Sequence, residues 1–237
     1  MHKGEHSISC SRRRFLAGVM LGAPLLAFNK GFGAIAKEPL PAFDLSFMDG
    51  SLSVMRRSEW TQKKPLAWRL REGGKFDRIT IHHQGGSVCR LCNKNSVIAV
   101  IDSVYAGHRH KNYGDIAYHF VIDYAGRVWE ARSLSYEGAH VCNQNKNNIG
   151  VLVLGNYEKQ LPSEKSVETL GKLTTVLRGH FGIKHHRVYG HRDLGASLCP
   201  GENLYPHVVA LRAETAPPDE PVAEIVKKAE EKESGES

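Results

Sequence analysis

Ile149-Gly150-Val151-Leu152-Val153-Leu154-Gly155 is a nearly continuous apolar run. A strand with one face in water alternates apolar and polar residues; a strand covered on both faces does not. The run therefore predicts a central strand with both faces packed. Working outward, Arg78-Ile79-Thr80-Ile81-His82 is a second, β-rich run. Residues 117–122 and 127–130 read as hairpin strands around the turn Asp123-Tyr124-Ala125-Gly126, and Val188-Tyr189-Gly190-His191 as another short strand. Between them, residues 96–105 place Val97, Ile101, Val104 and Tyr105 on one helical face. Residues 163–181 repeat Val167, Leu170, Leu173, Leu177 and Phe181 at intervals of three and four before Gly182. Residues 205–212 read as a closing helix. Strands interspersed with helices, plus one hairpin, predict an α/β fold: a single domain, residues 54–212, with a central mixed β-sheet flanked by helices.

The chain has 237 residues, 41% of them apolar, enough to bury one sizeable core. A disordered or collagen-like chain is excluded, and no internal repeat is present. Beyond the first thirty-odd residues no window is apolar enough to cross a bilayer. Ser11-Arg12-Arg13-Arg14-Phe15-Leu16 resembles the twin-arginine export consensus. An apolar run over 16–28 and the small-residue site Ala34-Ile35-Ala36 follow it. Residues 1–36 are thus expected to be a twin-arginine signal peptide, with the mature chain in the periplasm or cell envelope and membrane contact only through that signal. Residues 37–53 read as a loop-like lead-in and 213–237 as a disordered charged tail.

Residues 1–36 carry +4 and residues 213–237 carry −5, which leaves +8 on residues 37–212. Such a domain is drawn to polyanions, with a salt-sensitive component. Nucleic acid and anionic cell-wall polymer are the two obvious kinds. The basic residues are scattered and no zinc-finger or helix-turn-helix spacing occurs, so nucleic acid is not the expected partner.

The chemistry gathers in Gly190-His191-Arg192-Asp193-Leu194-Gly195-Ala196-Ser197-Leu198-Cys199-Pro200-Gly201. Imidazole nitrogen and thiolate sulfur are both good zinc ligands, and a loop of this composition can curl to bring them together. A third ligand from a strand end, for which His82 is placed, would leave the fourth tetrahedral position open for a water with a pKa near about 7. From the residues alone, each histidine could equally be a surface or hydrogen-bonded group. Export permits oxidation of Cys89, Cys92, Cys142 and Cys199, and three fully paired connectivities stay open. Cys89-x-x-Cys92 reads most simply as a local disulfide.

Seven blocks recur in one order: Arg57-Ser58-Glu59-Trp60, Ile79-Thr80-Ile81-His82-His83, Asp115-Ile116-Ala117-Tyr118-His119-Phe120, Gly126-Arg127-Val128-Trp129-Glu130-Ala131-Arg132, Gly138-Ala139-His140, Asn148-Ile149-Gly150-Val151, and the loop 190–201. In them the chain resembles the zinc-dependent N-acetylmuramoyl-L-alanine amidases, which share a fold with peptidoglycan recognition proteins and phage amidase lysozymes. The resemblance implies that fold, a zinc cofactor held by His82, His191 and Cys199, and Tyr118 beside the attacking water. It suggests Ser197 as a second hydrogen-bond donor and His83, Arg132 and His140 as substrate-binding residues, with a structural hydrogen-bonding role equally open for His140 and a pairing with Glu130 for Arg132. It also implies hydrolysis of the bond between N-acetylmuramic acid and L-alanine in peptidoglycan or muropeptides, by a monomer. Members lacking the cysteine ligand tend to bind peptidoglycan without cutting it; Cys199 is present here. The alternative is a non-catalytic recognition module. Departures from the family pattern are Ser197 where threonine or lysine is usual, Ala117 for glycine, Tyr113 for tryptophan and Gln84 for threonine. Trp60 and Trp129 read as core residues rather than sugar platforms.

Overall fold

The computed structural model describes residues 38–213 apart from 49, 51 and 74; the segment expected to be a twin-arginine signal and the charged tail from 214 onward lie outside the described residues. Its strands are β1 (Val54–Met55), β2 (Arg78–His83), β3 (Phe120–Ile122), β4 (Val128–Glu130), β5 (Asn148–Val153) and β6 (Val188–Gly190). Its α-helices are α1 (Lys94–His110), α2 (Glu164–Phe181) and α3 (Tyr205–Ala210). The strands form one mixed sheet in the order β1-β4-β3-β5-β2-β6. β5 runs parallel to both β3 and β2, β6 is parallel to β2, and β3 and β4 form the antiparallel hairpin.

The unbroken apolar character of β5 has a direct cause, since all six of its residues are buried. Ile149, Val151 and Val153 join Ile79, Ile81, Phe120 and Ile122 beneath Leu170, Leu173 and Leu177 of α2. On the other face Leu152, Val121 and Trp129 meet Val97, Ile101 and Tyr105 of α1. Each such aliphatic side chain contributes about 1.5–3 kcal/mol on burial. The helices start where their caps are. Asn93 Oδ1 accepts the Asn95 and Ser96 N–H groups, Ser163 Oγ accepts that of Ser166, and α2 stops at Gly182 with φ 67°.

Three features differ from the sequence reading. The α1 helix runs on to His110, past its apolar stripe, because polar contacts hold the last turn: Arg109 donates to the Gly114 carbonyl at 2.8 Å, and His108 Nδ1 accepts the Ala117 N–H at 3.2 Å. The first hairpin strand begins at Phe120, since the backbone of residues 117–119 bonds to residues 131, 132, 139 and 150 outside the regular ladder. The lead-in is not loose, for Leu45 and Met48 are buried in the core beside α2 and Val54–Met55 adds an edge strand.

The expected Cys89–Cys92 bridge is absent, and both thiols are free. Gln160 clasps the Cys89 backbone, accepting its N–H at 2.7 Å and donating to its carbonyl at 3.0 Å, which holds Cys89 in the core while Cys92 is exposed. Trp60 and Trp129 are core residues, their indole N–H groups satisfied by the Glu130 carbonyl and Asp123 carboxylate.

Candidate metal centre

Successive side chains of a strand point to opposite faces. Ile79 and Ile81 of β2 face α2, so Thr80 and His82 face the α1 side. Pairing of Ile81 with Gly190 brings the end of β6 beside the end of β2, and the next residue along each strand is a histidine, His82 and His191. The following loop curls back. The Arg192 N–H donates to the Cys199 carbonyl at 2.8 Å, its guanidinium to the Leu198 carbonyl at 2.7 Å, and the Cys199 N–H to Ser197 Oγ at 3.1 Å. Glycine is needed at 190, where a Cβ would lie 2.8 Å from Pro200 Cδ. As a result one ligand atom each of His82, His191 and Cys199 lies within 4.8 Å of the others. His82 Nδ1 stands 3.7 Å from Cys199 Sγ, and the two histidine rings are 4.8 Å apart.

Burial holds these groups neutral. It pushes the His82 imidazole well below its ordinary value, with His140, His191 and His83 adding to the effect, and it lowers His191 as well. Burial raises the Cys199 thiol to about 12, even though Sγ accepts the His83 N–H at 3.3 Å. Two lone-pair imidazoles and a thiol that ionises only beside a cation form a soft donor set of the kind zinc selects. The spacing fits too, because nitrogen and sulfur bound at about 2.1 and about 2.3 Å to one tetrahedral zinc lie about 3.6 Å apart.

Tyr118 packs its ring 5.1 Å from that of His82. Its phenol is raised above the ordinary value by burial and by Cys199. Beside it is a pocket of about 210 Å³ lined by Gln84, Val104, His108, Lys111, Tyr118 and Leu152. Ser197 lies in the ligand loop, its oxygen accepting the Cys199 N–H.

The residues expected to touch substrate make the following contacts within the protein. Arg132 is buried, and its guanidinium is spent on the carbonyls of Ile116, Glu137 and Asp115; burial lowers its pKa to about 10. These three bonds pin the segment ahead of β3. His140 is also buried: Nδ1 is 3.0 Å from His82 Nε2, and Nε2 is 3.2 Å from the Asn148 carbonyl. His83 gives its N–H to Cys199 and accepts the Tyr157 N–H on Nδ1 at 3.2 Å, and burial lowers its pKa to about 4. His108 falls outside the seven matched blocks of the sequence. The structure places it against Tyr118 and Tyr113, with ring centroids 5.6 and 5.5 Å away. Its signal was position, one turn after the apolar stripe and ten residues before Tyr118.

The fold and site define an α/β domain with a two-histidine, one-cysteine cluster at the ends of two parallel strands. The chain belongs to the N-acetylmuramoyl-L-alanine amidase family, whose sequence model matches residues 72–202. Peptidoglycan-recognition protein SC2 of Drosophila melanogaster is 33% identical over 162 residues, spanning 65% of this chain and 83% of that relative. Among solved structures, Drosophila peptidoglycan recognition protein SD superposes with a TM-score of 0.59 at 25% identity, over 65% of this chain and 91% of that one. The endolysin N-acetylmuramoyl-L-alanine amidase LysCS of Clostridium intestinale shares the fold, with a TM-score of 0.55 at 19% identity over 66% of this chain and 93% of that one. The mixed sheet with flanking helices is thus the fold of the peptidoglycan recognition protein and amidase superfamily.

Proposed function

We propose that this chain is an exported, zinc-dependent N-acetylmuramoyl-L-alanine amidase of the cell envelope. It hydrolyses the amide between the lactyl carbonyl of N-acetylmuramic acid and the L-alanine of the stem peptide, in peptidoglycan or muropeptides. The observation that carries this reading is the complete donor set of His82, His191 and Cys199, gathered within 4.8 Å with Tyr118 against it. A zinc ion held there would polarise the amide carbonyl and lower the pKa of an attacking water.

The chain's own residues then do the rest. As water adds to the carbonyl carbon, negative charge develops on its oxygen, and a preorganised hydroxyl donor is worth most at that moment. Tyr118 is the donor, its ring packed against those of His82 and His108. Ser197 is the second: its oxygen already accepts the Cys199 N–H, so its own hydrogen is free to turn to substrate. Collapse of the adduct breaks the C–N bond as a proton from the attacking water passes to the leaving nitrogen, which releases the stem peptide with a free L-alanine amine and leaves the lactyl group as a carboxylate.

A second reading is favoured by the name of the Drosophila relative: a module that holds peptidoglycan without cutting it. Mass spectrometry of the full chain incubated with purified sacculi and with soluble muropeptides separates the two. The amidase releases stem peptide, loses that activity to a chelator and regains it with zinc; the module retains wall material and releases nothing. His191→Ala and Cys199→Ala are expected to lose metal and peptide release together. A fully active, metal-free Cys199→Ala protein would contradict the scheme.

A further inference from the structure

His140 makes both of its ring hydrogen bonds inside the protein, and their direction is decided at one end. The Asn148 backbone carbonyl can only accept, so the proton shared across the 3.2 Å contact sits on His140 Nε2. A neutral imidazole has one donor and one acceptor, which leaves His140 Nδ1 as the acceptor. It faces His82 Nε2 at 3.0 Å, so His82 carries its proton on Nε2 and its lone pair on Nδ1, the nitrogen that faces Cys199 Sγ at 3.7 Å. We propose that His140 is a positioning residue that sets the tautomer of His82, so that His82 offers Nδ1 and no other atom to a metal. The inference rests on the metal reading of the three-residue cluster given above.

The surroundings are built for this role. A Cβ on Gly150 would lie 2.5 Å from His140 Cδ2, and one on Gly138 would lie 2.4 Å from the same atom. Two glycines therefore open a slot that the imidazole fills. The Asn148 carbonyl is fixed in turn: its residue opens β5 opposite Arg78, its Oδ1 accepts the Thr80 hydroxyl at 2.9 Å, and its Nδ2 donates to the Gln144 carbonyl at 2.8 Å. Backbone carbonyl, His140 and His82 form a relay whose polarity the protein cannot reverse without setting two acceptors against each other. Groups that hydrogen-bond the far nitrogen of a ligating histidine orient it and raise its basicity.

The test uses the full chain, metal-free and ¹⁵N-labelled at histidine. Proton–nitrogen correlation through the ring carbons reads which nitrogen of His82 carries hydrogen, with the signals assigned by their loss in His82→Gln. The Nε2–H form is expected; the Nδ1–H form overturns the proposal. In His140→Phe, which keeps a ring in the slot and removes the acceptor, His82 is expected to become a mixture of tautomers. Zinc affinity, measured by competition with a chelating dye, is expected to fall about 10- to 100-fold. His140→Gln, which retains an amide donor and acceptor, is expected to restore most of it. A folded His140→Phe protein with the wild-type tautomer and affinity also overturns the proposal, and if that variant does not fold the wild-type spectrum decides. Neither measurement involves cell wall, so failure to release stem peptide would reject the amidase reading while leaving this inference standing.

Discussion

Tyr118 is the residue whose chemistry one atom can isolate. Its ring packs against His82 and His108, so Tyr118→Phe keeps the packing and removes the hydroxyl alone. Turnover is expected to fall about 10²-fold, the usual consequence of losing one donor to a developing oxyanion, with bound zinc per chain unchanged. Measuring kcat beside metal content checks this, and an unaltered kcat would remove Tyr118 from the reaction. At this scale donor type and loop composition only suggested His82, His191 and Cys199; the resemblance to the amidases singled them out, and the structure brings one ligand atom of each within 4.8 Å of the others. For Arg132 and His140 the sequence leaves a substrate contact and a structural role open, for a physical reason. Polar side chains beside a binding groove and polar side chains locked behind it look alike in a string of letters; only the carbonyls of Ile116, Glu137, Asp115 and Asn148 distinguish them, and backbone acceptors carry no sequence signal.

Among the elements, β5 is the one whose composition is most constrained. Gly150 interrupts an otherwise bulky strand because the His140 ring lies across it, and a Cβ there would meet three ring atoms at 2.5–2.7 Å. That ring is held by hydrogen bonds at both nitrogens and is confined again at Gly138. Gly150→Ala is therefore expected to destabilise the protein by about 1–3 kcal/mol through overpacking. Urea denaturation measures this directly, and a variant as stable as wild type would show that the slot can relax. The strand itself was readable because six buried residues leave no room for alternation, and α2 because its apolar stripe persists to Phe181. β1 was not readable, since Val54 and Met55 are too few to show a period. The last turn of α1 was missed because Arg109 and His108 hold it by polar contacts rather than burial.

Across the whole molecule, burial of histidine sets the response to acid. His119 is fully enclosed, with Nδ1 accepting the Gly150 N–H at 2.9 Å and Nε2 donating to the Tyr136 carbonyl at 3.0 Å. Both bonds need the neutral ring. Burial lowers its pKa to about 3, and that of His108 to about 4, from an ordinary 6.5. Between these values the unfolded chain binds more protons than the folded one, so stability is complete above about pH 6.5 and is lost as pH falls towards 4 and then 3. Each histidine adds up to about 1.4 kcal/mol per pH unit to that slope. Urea midpoints recorded from pH 7.5 down to 4.5 should decline, and a flat series would be the contrary result.

β6 pairs with β2 alone, at the margin of the sheet, so an ion bound by the proposed trio would depend on the docking of that strand. Until residues 188–190 dock, His82 is a solitary imidazole more than a hundred residues upstream of its co-ligands. An ion held by all three would therefore clasp that marginal strand in place, its binding free energy adding to that of folding. On that reading the proposed chemistry is complete only once the edge of the sheet has closed.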